Sequence, residues 1–161
     1  MLSVKKSSSK TPFLFSVCGV LLQCLVWSAS VSAETEIEVF KNPNCGCCEA
    51  WVTHLERQGF QATVKDVDNL SVIKHHFGIS PQYQSCHTGV VEGYVFEGHV
   101  PAAIMQRFLQ EKPEGAIGLS VPGMPVGSPG MEMGDRHDDY DVLLLKQDGS
   151  TEVYEHVGSQ H

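Results

Sequence analysis

The stretch Asn-Pro-Asn-Cys-Gly-Cys-Cys-Glu-Ala-Trp, residues 42–51, carries three cysteines within four positions, between a strand-like run and a helix-like run. Cys45 and Cys48 have the C-x-x-C spacing of a dithiol redox pair. At a strand-to-helix junction the first thiol of such a pair lies at a helix N-terminus, where the helix dipole and free N–H groups favour the thiolate. The stretch therefore predicts a reactive or metal-binding site at the start of the first helix.

Cys47 adds a third sulfur that a dithiol redox pair does not need. It occupies the position that thioredoxins fill with proline, and this favours binding of a soft metal ion. The alternative is a disulfide between two of the three cysteines with the third left idle. Adjacent cysteines make poor crosslinks, and closing so short a loop stabilises a fold little.

The first 33 residues have the pattern of a secretory leader: three lysines, an apolar run at 13–27 and small residues ending at Ala33. We expect cleavage near Ala33, export to the periplasm and no membrane attachment afterwards. A transmembrane anchor is the alternative, but about 15 apolar residues is short for one. Two further cysteines, Cys18 and Cys24, leave with the leader.

The remaining 128 residues are enough for one domain with a real core. All 19 acidic residues lie after residue 33, whereas three of the 11 Lys and Arg residues precede it, so the exported part has a net charge of −11. This charge makes nucleic acid an improbable partner. An exported protein with four cysteines would by default form two disulfides. The clustering of these cysteines argues against that default.

Hydrophobic periodicity from residue 34 to residue 112 predicts an α/β core with the order βαβαββα. This order, with cysteines after the first strand, is the thioredoxin-like arrangement. Helix ends are indicated by Gly59, by Asp68 or Asn69 as a cap, by Gly78, and by Pro101 in the first turn of the third helix. The predicted apolar helix faces consist of Trp51, Val52 and Leu55; Val72, Ile73 and Phe77; and Ile104, Met105, Phe108 and Leu109.

Residues 113–161 form a predicted C-terminal extension that packs on this core. Between Pro113 and Gly134 the chain carries four of its eight prolines among many glycines, which predicts a long loop. Asp148-Gly149 then separates two strand-like runs, 141–146 and 151–156, and this is a strong β-hairpin signal. Loops of this length inside compact domains are usually functional or disordered. Because an ordered-looking hairpin follows this loop, we expect a lid held at both ends.

Four motifs together resemble the CopG family of exported copper-resistance proteins, over roughly Val39 to Val157. They are Cys45-Gly46-Cys47-Cys48, Ser85-Cys86-His87-Thr88, Glu97-Gly98-His99-Val100-Pro101 and the loop Met-Pro-Val-Gly-Ser-Pro-Gly-Met at 124–131. The resemblance implies a thioredoxin-like domain with a C-terminal extension and a copper centre bridged by cysteine sulfur. It also implies a role in interconverting Cu(I) and Cu(II).

The cis-proline that thioredoxins carry just before the third strand is absent, and Cys86-His87 stands near that place. In a thioredoxin fold this position faces the active cysteines, so a thiol and an imidazole are expected to point at the C-x-C-C site. Cys86 as an ordinary buried cysteine, His99 as a surface or capping histidine, and the methionines as plain loop residues remain alternatives. The candidate copper ligands are Cys45, Cys47, Cys48, Cys86, His87, His99, Met124, Met131 and Met133.

The function that follows is copper resistance by a monomeric protein that binds one or more copper ions as Cu(I) and Cu(II). Cys45 and Cys48 would be its redox-active pair, and copper efflux or carrier proteins its partners. A metal-free thiol-disulfide oxidoreductase, with Cys45 as nucleophile and Cys48 as resolving thiol, is one alternative. A passive copper carrier without turnover is another.

Replacing Cys47 by serine tests the three-sulfur site. We expect Cys47→Ser to lower the copper stoichiometry and to leave the fold intact, because this sulfur supplies a ligand and little of the core. Copper content per chain and circular dichroism of the purified variant measure the two effects. Unchanged copper content would rule out a role for the third sulfur.

Overall fold

The computed structural model describes residues 34–158, which hold seven strands and three α-helices. A short 3₁₀ turn at Pro81–Tyr83 precedes the third strand. The elements are β1 (Thr35–Lys41), α1 (Gly46–Arg57), β2 (Phe60–Asp66), α2 (Leu70–His76), β3 (His87–Val91), β4 (Tyr94–Glu97), α3 (Ala102–Glu111), β5 (Ala116–Ser120), β6 (Tyr140–Lys146) and β7 (Thr151–Val157). The α/β class and the βαβαββα order are confirmed, with three further strands after α3.

One sheet contains all seven strands, in the order β2-β1-β3-β4-β5-β6-β7. β1 pairs in parallel with β2 and antiparallel with β3, and its last residue, Lys41, lies opposite His87, the first residue of β3. The end of β1 leads into the C-x-C-C stretch, while the start of β3 follows Cys86. This register therefore brings the two cysteine-bearing segments to the same end of the sheet.

Helix α1 begins at the C-x-C-C motif, and Cys45 is its N-cap residue. Its buried face consists of Cys48, Trp51, Val52 and Leu55, at the spacing of an amphipathic helix. Gly59, at φ +88°, adopts the left-handed conformation that commonly follows a helix end. The predicted apolar face and the predicted end of this helix are confirmed.

Helix α2 differs in part from its predicted pattern. Asn69 caps it as expected, because its side chain accepts a hydrogen bond from the Ser71 N–H. Val72, however, is 64% exposed, while Lys74 is buried at 3% exposure. The assignment of Val72 to the buried side was wrong because an ion pair, which hydropathy cannot anticipate, turns Lys74 inward.

Helix α3 follows Pro101 and buries Ala102, Ile104, Met105 and Phe108, with Leu109 packed partly against the same core. Phe108 contacts Phe96 of β4 edge-on, at 5.6 Å between ring centroids. The predicted apolar face of this helix is therefore confirmed. No helix within residues 34–158 is long and apolar enough to cross a membrane.

The predicted loop between Pro113 and Gly134 contains a strand, β5, that the sequence did not indicate. β5 pairs in parallel with β4 and antiparallel with β6, so it joins the hairpin to the core sheet. Gly118 interrupts its hydrophobic pattern, and the register shifts between Ala116 and Gly118. The strand depends on partners distant in sequence, which local periodicity does not report. The predicted hairpin is confirmed as β6 and β7.

Two predictions about chain processing fall on residues that the structure does not describe. The leader at residues 1–33 and its cleavage near Ala33 lie outside the described residues.

The division into a core at 34–112 and an extension at 113–161 stays a prediction, since both contribute strands to one sheet. No peptide bond within residues 34–158 is cis, in agreement with the missing cis-proline.

Gly118 tests how closely β5 approaches β4. A Cβ atom on Gly118 would lie 1.8 Å from the carbonyl oxygen of Val95, at a backbone φ of +153°. Because the obstacle is backbone, we expect Gly118→Ala to lower the free energy of unfolding by about 3 kcal/mol or more. Urea unfolding followed by circular dichroism measures this change.

Gly149 provides the control for Gly118. It also has a positive φ, +80°, but a Cβ there would meet nothing within 4 Å. Gly149→Ala should therefore cost only the backbone strain, about 1–2 kcal/mol. Equal losses in the two variants would contradict the close approach of β5 to β4.

Candidate metal centre

The first part of the site is the N-terminal turn of α1. Cys45 and Cys48 form a disulfide there, with their Cα atoms 5.3 Å apart. The free thiol of Cys47 lies 3.5 Å from the sulfur of Cys45. Cys48 is fully buried, whereas Cys45 and Cys47 are half-buried. The turn thus presents a redox-capable pair with a third sulfur beside it.

Cys86 joins this turn from the segment before β3. Its ligand atom and those of Cys45, Cys47 and Cys48 all lie within 4.8 Å of one another. The Cys48 sulfur also lies 3.8 Å from the Cys86 carbonyl oxygen. The register of β1 and β3 explains the meeting, since Cys86 directly precedes the residue paired with Lys41. Four sulfurs from two chain segments form one cluster.

The same Cys86 sulfur belongs to a second donor group. It lies 3.2 Å from Nδ1 of His87 and 3.2 Å from Nε2 of His99. These three donor atoms also lie within 4.8 Å of one another. Cys86 is therefore shared between a sulfur-only group and a sulfur–imidazole group.

Both imidazoles are held inside the protein. His87 and His99 are fully buried, with ring centroids 4.8 Å apart, and the His87 ring lies 4.2 Å from that of Trp51. Nδ1 of His99 lies 2.8 Å from the carbonyl oxygen of Pro129. A carbonyl only accepts hydrogen bonds, so Nδ1 carries the proton and the Nε2 lone pair points toward Cys86. The His87 Nε2 atom is buried without a hydrogen-bond partner.

Burial determines the protonation of these groups. It raises the pKa of the Cys86 thiol to about 12, with Cys47 raising it further as the second cause. It lowers the pKa of His87 well below its usual value, assisted by the positive charges that His99 and Lys74 would place nearby. Burial also lowers the pKa of His99. At neutral pH both imidazoles are therefore neutral and able to donate a lone pair, whereas Cys86 must release a proton to bind a metal.

The loop at residues 121–134 touches the site at three places. The Ser85 hydroxyl donates a hydrogen bond to the Gly123 carbonyl, and the Pro129 carbonyl accepts one from His99. Gly130 lies against α1. A Cβ atom added to it would come within 2.7 Å of the backbone nitrogen of Trp51 and 2.8 Å of the carbonyl oxygen of Cys47. The loop covers the cluster closely because a glycine stands at this contact.

The methionines of this loop differ in exposure. Met124 is 52% exposed and Met133 is 54% exposed, while Met131 is half-buried. The large exposed fractions of Met124 and Met133 place much of these side chains in solvent. Ligation by Met124, Met131 or Met133 stays a prediction, as does the ligand role of each cysteine and histidine.

Other residues around the site were missed or misjudged from the sequence. His99 is not a surface histidine, since it is fully buried. His54, which the sequence did not single out, is half-buried and accepts a hydrogen bond from the Ala102 N–H. Trp51 was assigned only to the core, although its ring lies against His87. The buried Lys74–Glu97 pair was also missed, because Lys74 lies among other polar residues of α2 and no local pattern marks its burial.

Comparison with known proteins agrees with this geometry. Residues 83–131 match a family described as "Protein of unknown function, DUF411". Two solved structures, named "Copper resistance protein copG- Form 2" and "Copper resistance protein copG- Form 1", are 43% and 44% identical to this chain, each with a TM-score of 0.73. Each match covers 77% of this chain and 98% of the other. No curated protein sequence matches the chain.

An α/β protein with a buried cluster of sulfur and imidazole donors is thus the class that the fold and the site define. At this level of identity and coverage, the chain belongs to the CopG family of copper-resistance proteins. The donor set fits copper, because thiolate and imidazole are the ligands that Cu(I) and Cu(II) accept and hard cations avoid.

The protonation of Cys86 can be measured in metal-free Cys47→Ser protein, where the Cys45–Cys48 disulfide leaves Cys86 as the only free thiol within residues 34–158. We expect alkylation by iodoacetamide to be slow at pH 7–9 and its rate to keep rising above that range, because burial, the largest cause, keeps the thiol neutral. The denatured protein should react with the pH profile of an ordinary thiol. A native profile that levels off near pH 9 would contradict this burial.

Proposed function

We propose that this protein binds copper at the cluster of Cys45, Cys47, Cys48, Cys86, His87 and His99, and that it serves copper resistance. The observation that carries the proposal is the shared sulfur of Cys86. It lies within 3.2 Å of two imidazole nitrogens and in one cluster with three more sulfurs. Such density of soft donors has no evident structural purpose, since one disulfide uses only two of the four sulfurs.

The donors favour Cu(I) and tolerate Cu(II). Thiolate sulfur stabilises the lower oxidation state, while neutral imidazole accepts either. His87 and His99 are kept neutral by burial, so they need lose no proton before binding. A thiolate that bridges two ions is a natural use of Cys86, the one donor common to both groups. More than one copper ion per chain follows from this sharing.

Interconversion of copper states would use the Cys45 and Cys48 pair. In the reduced protein these two thiols can give one electron to each of two Cu(II) ions. The products are two Cu(I) ions, the Cys45–Cys48 disulfide and two protons. The pair lies at the start of α1, where the helix N-terminus favours thiolate. The disulfide form of this pair supports its capacity for such a step.

The proposed setting is the periplasm, reached by the leader at residues 1–33. Two relatives named copper resistance proteins support a role in resistance for this chain as well. Copper ions are the proposed cargo, and copper efflux or carrier proteins the proposed partners of a monomer. The strongly acidic composition is compatible with a cationic cargo and argues against nucleic acid.

The loop at residues 121–134 is proposed to act as the cover of this site. Thiolate-bound copper in an oxidising compartment needs protection from solvent and from competing ligands, and groups around the first ligands supply it. The contacts of Pro129 and Gly130 with His99 and α1 support this role. Half-buried Met131 is better placed for a soft contact than the more exposed Met124 and Met133.

A metal-free thiol-disulfide oxidoreductase is the second candidate, and the Cys45–Cys48 disulfide at a helix N-terminus favours it. Against it, Cys86 stands where a thioredoxin has the cis-proline that holds peptide substrates. A passive copper carrier is the third, and it would show binding without electron exchange. Brisk reduction of a model disulfide by thoroughly chelated protein would favour the second candidate over the first.

The proposal is tested by anaerobic titration of the reduced protein with Cu(I) in competition with a chelator. We expect the wild type to bind at least one copper ion per chain and Cys86→Ser to lose most of that capacity, because both donor groups share this sulfur. Mutating a residue that only supports a metal ligand commonly weakens the site about 10–100-fold. Removing a ligand itself should weaken the site at least as much. Absorption spectra with and without reductant report the oxidation state.

The matched control is His75→Ala, which removes an exposed histidine of α2 that lies outside both donor groups. It should bind copper as the wild type does. Equal copper capacity in Cys86→Ser and the wild type would refute the shared-sulfur site. A Cu(II) spectrum that persists after addition to fully reduced protein would refute the electron transfer and leave a passive carrier.

A further inference from the structure

A buried polar network lies directly behind the segment that carries Cys86 and His87. Glu97 is fully buried at the end of β4, and Lys74 of α2, at 3% exposure, forms an ion pair with it. Thr88, also fully buried, completes the network from β3. Buried ion pairs contribute little net stability, because removing both charges from water is costly. The presence of this pair beside the site therefore calls for another explanation.

The two oxygens of the Glu97 carboxylate bind the chain on both sides of Cys86-His87. Oε1 accepts a hydrogen bond of 2.6 Å from the Ser85 N–H, directly before the pair. Oε2 accepts one of 2.6 Å from the Thr88 hydroxyl, directly after it. Lys74 donates to Oε1 and, at 3.2 Å, to the Thr88 oxygen. One carboxylate thus fixes both ends of a four-residue segment whose two central residues are candidate ligands.

Glu97 also connects to the second imidazole-bearing segment, that of His99. It ends β4, and Gly98 and His99 follow it immediately. The Gly98 N–H donates to the His87 carbonyl at 3.0 Å, so the turn that carries His99 is tied to the strand that carries His87. A Cβ on Gly98 would lie 2.5 Å from the Val121 carbonyl oxygen, so only glycine fits at this point of the turn. The bond network reaches Cys86, His87 and His99 together.

We propose that Glu97 is a positioning residue of the copper site, which, together with Thr88 and Lys74, holds Cys86 and His87 at the distances needed to share a metal ion. This inference rests on the proposed function. Glu97 itself contacts no ligand atom; it acts through the backbone of Ser85 and the hydroxyl of Thr88. Such outer partners fix the orientation of the ligands and thereby the affinity of a site.

Thr88 offers the mildest test, because two substitutions separate its hydroxyl from its shape. Thr88→Val keeps the branched side chain and loses the hydrogen bond, whereas Thr88→Ser keeps the hydroxyl and loses a methyl group. We expect Thr88→Val to lose Cu(I) to a chelator about 10–100-fold faster than the wild type. Thr88→Ser should remain close to the wild type. A role in core packing alone would predict the opposite order.

Glu97→Gln tests the carboxylate itself. An amide retains one acceptor oxygen, so either the Ser85 N–H or the Thr88 hydroxyl loses its acceptor. We expect faster hydrogen exchange at the Ser85 amide and faster alkylation of Cys86 in the metal-free protein, together with faster copper release. Leu144→Ala, a core change in β6 outside the network, is the control for lost stability alone. All variants are compared under conditions in which urea unfolding curves show each of them to be folded.

The outcomes separate the two proposals. Suppose that the wild type binds copper. If Thr88→Val then holds copper as tightly as the wild type does, Glu97 has no positioning role. The same conclusion follows if Leu144→Ala releases copper as fast as Glu97→Gln does. If the wild type binds no copper, the proposed function fails, and the metal-free readouts then decide the role of Glu97. Unchanged Ser85 exchange and unchanged Cys86 alkylation in Glu97→Gln overturn it in that case as well.

Discussion

The antiparallel pairing of β1 with β3 is the constraint on which the site depends. It sets Lys41 opposite His87, so the C-x-C-C turn that follows β1 and the Cys86 residue that precedes β3 meet at one end of the sheet. Backbone hydrogen bonds fix this register, and a slip by one residue would turn His87 to the opposite face. The approach of Cys86 to the C-x-C-C turn follows from that alignment, because only residues 42–45 separate the end of β1 from the start of α1.

Burial supplies the second condition, by controlling the protonation of the donors. His87 and His99 lie inside the protein and stay neutral, with their lone pairs free for a metal, whereas Cys86 holds its proton until a metal displaces it. Copper binding at the proposed site would therefore be coupled to release of the Cys86 proton. Burial also carries a cost, since His87 Nε2 is buried without a hydrogen-bond partner. A lone pair of this kind, buried beside a sulfur cluster, is compatible with a metal ligand.

Two parts of the chain surround the cluster: Glu97 on one side and the glycine-rich loop at residues 121–134 on the other. The carboxylate of Glu97 holds the Cys86-His87 segment from behind, and the glycine-rich loop lies over the front through Pro129 and Gly130. β5 connects these parts, because it pairs with β4 on one side and leads into the loop on the other. The C-terminal strands therefore serve the site as well as the sheet: they determine where the loop starts and where it returns.

The sequence by itself determined the α/β order, the faces of α1 and α3 and the hairpin, because periodicity and turn residues are local signals. It indicated the meeting of Cys86 with the C-x-C-C turn only through the thioredoxin-like order of the elements, in which the segment before the third strand faces the first helix. It could not decide β5, where Gly118 breaks the hydrophobic pattern and the strand exists only through its pairing with β4 and β6. Nor could it decide the burial of Lys74 or of His99. Whether a lysine faces water or a carboxylate, and whether a histidine is exposed or enclosed, depends on partners far away in the chain. Tertiary structure alone brings Glu97 to Lys74 and Pro129 to His99, and those contacts set the orientation of the Cys86-His87 segment and the tautomer of His99.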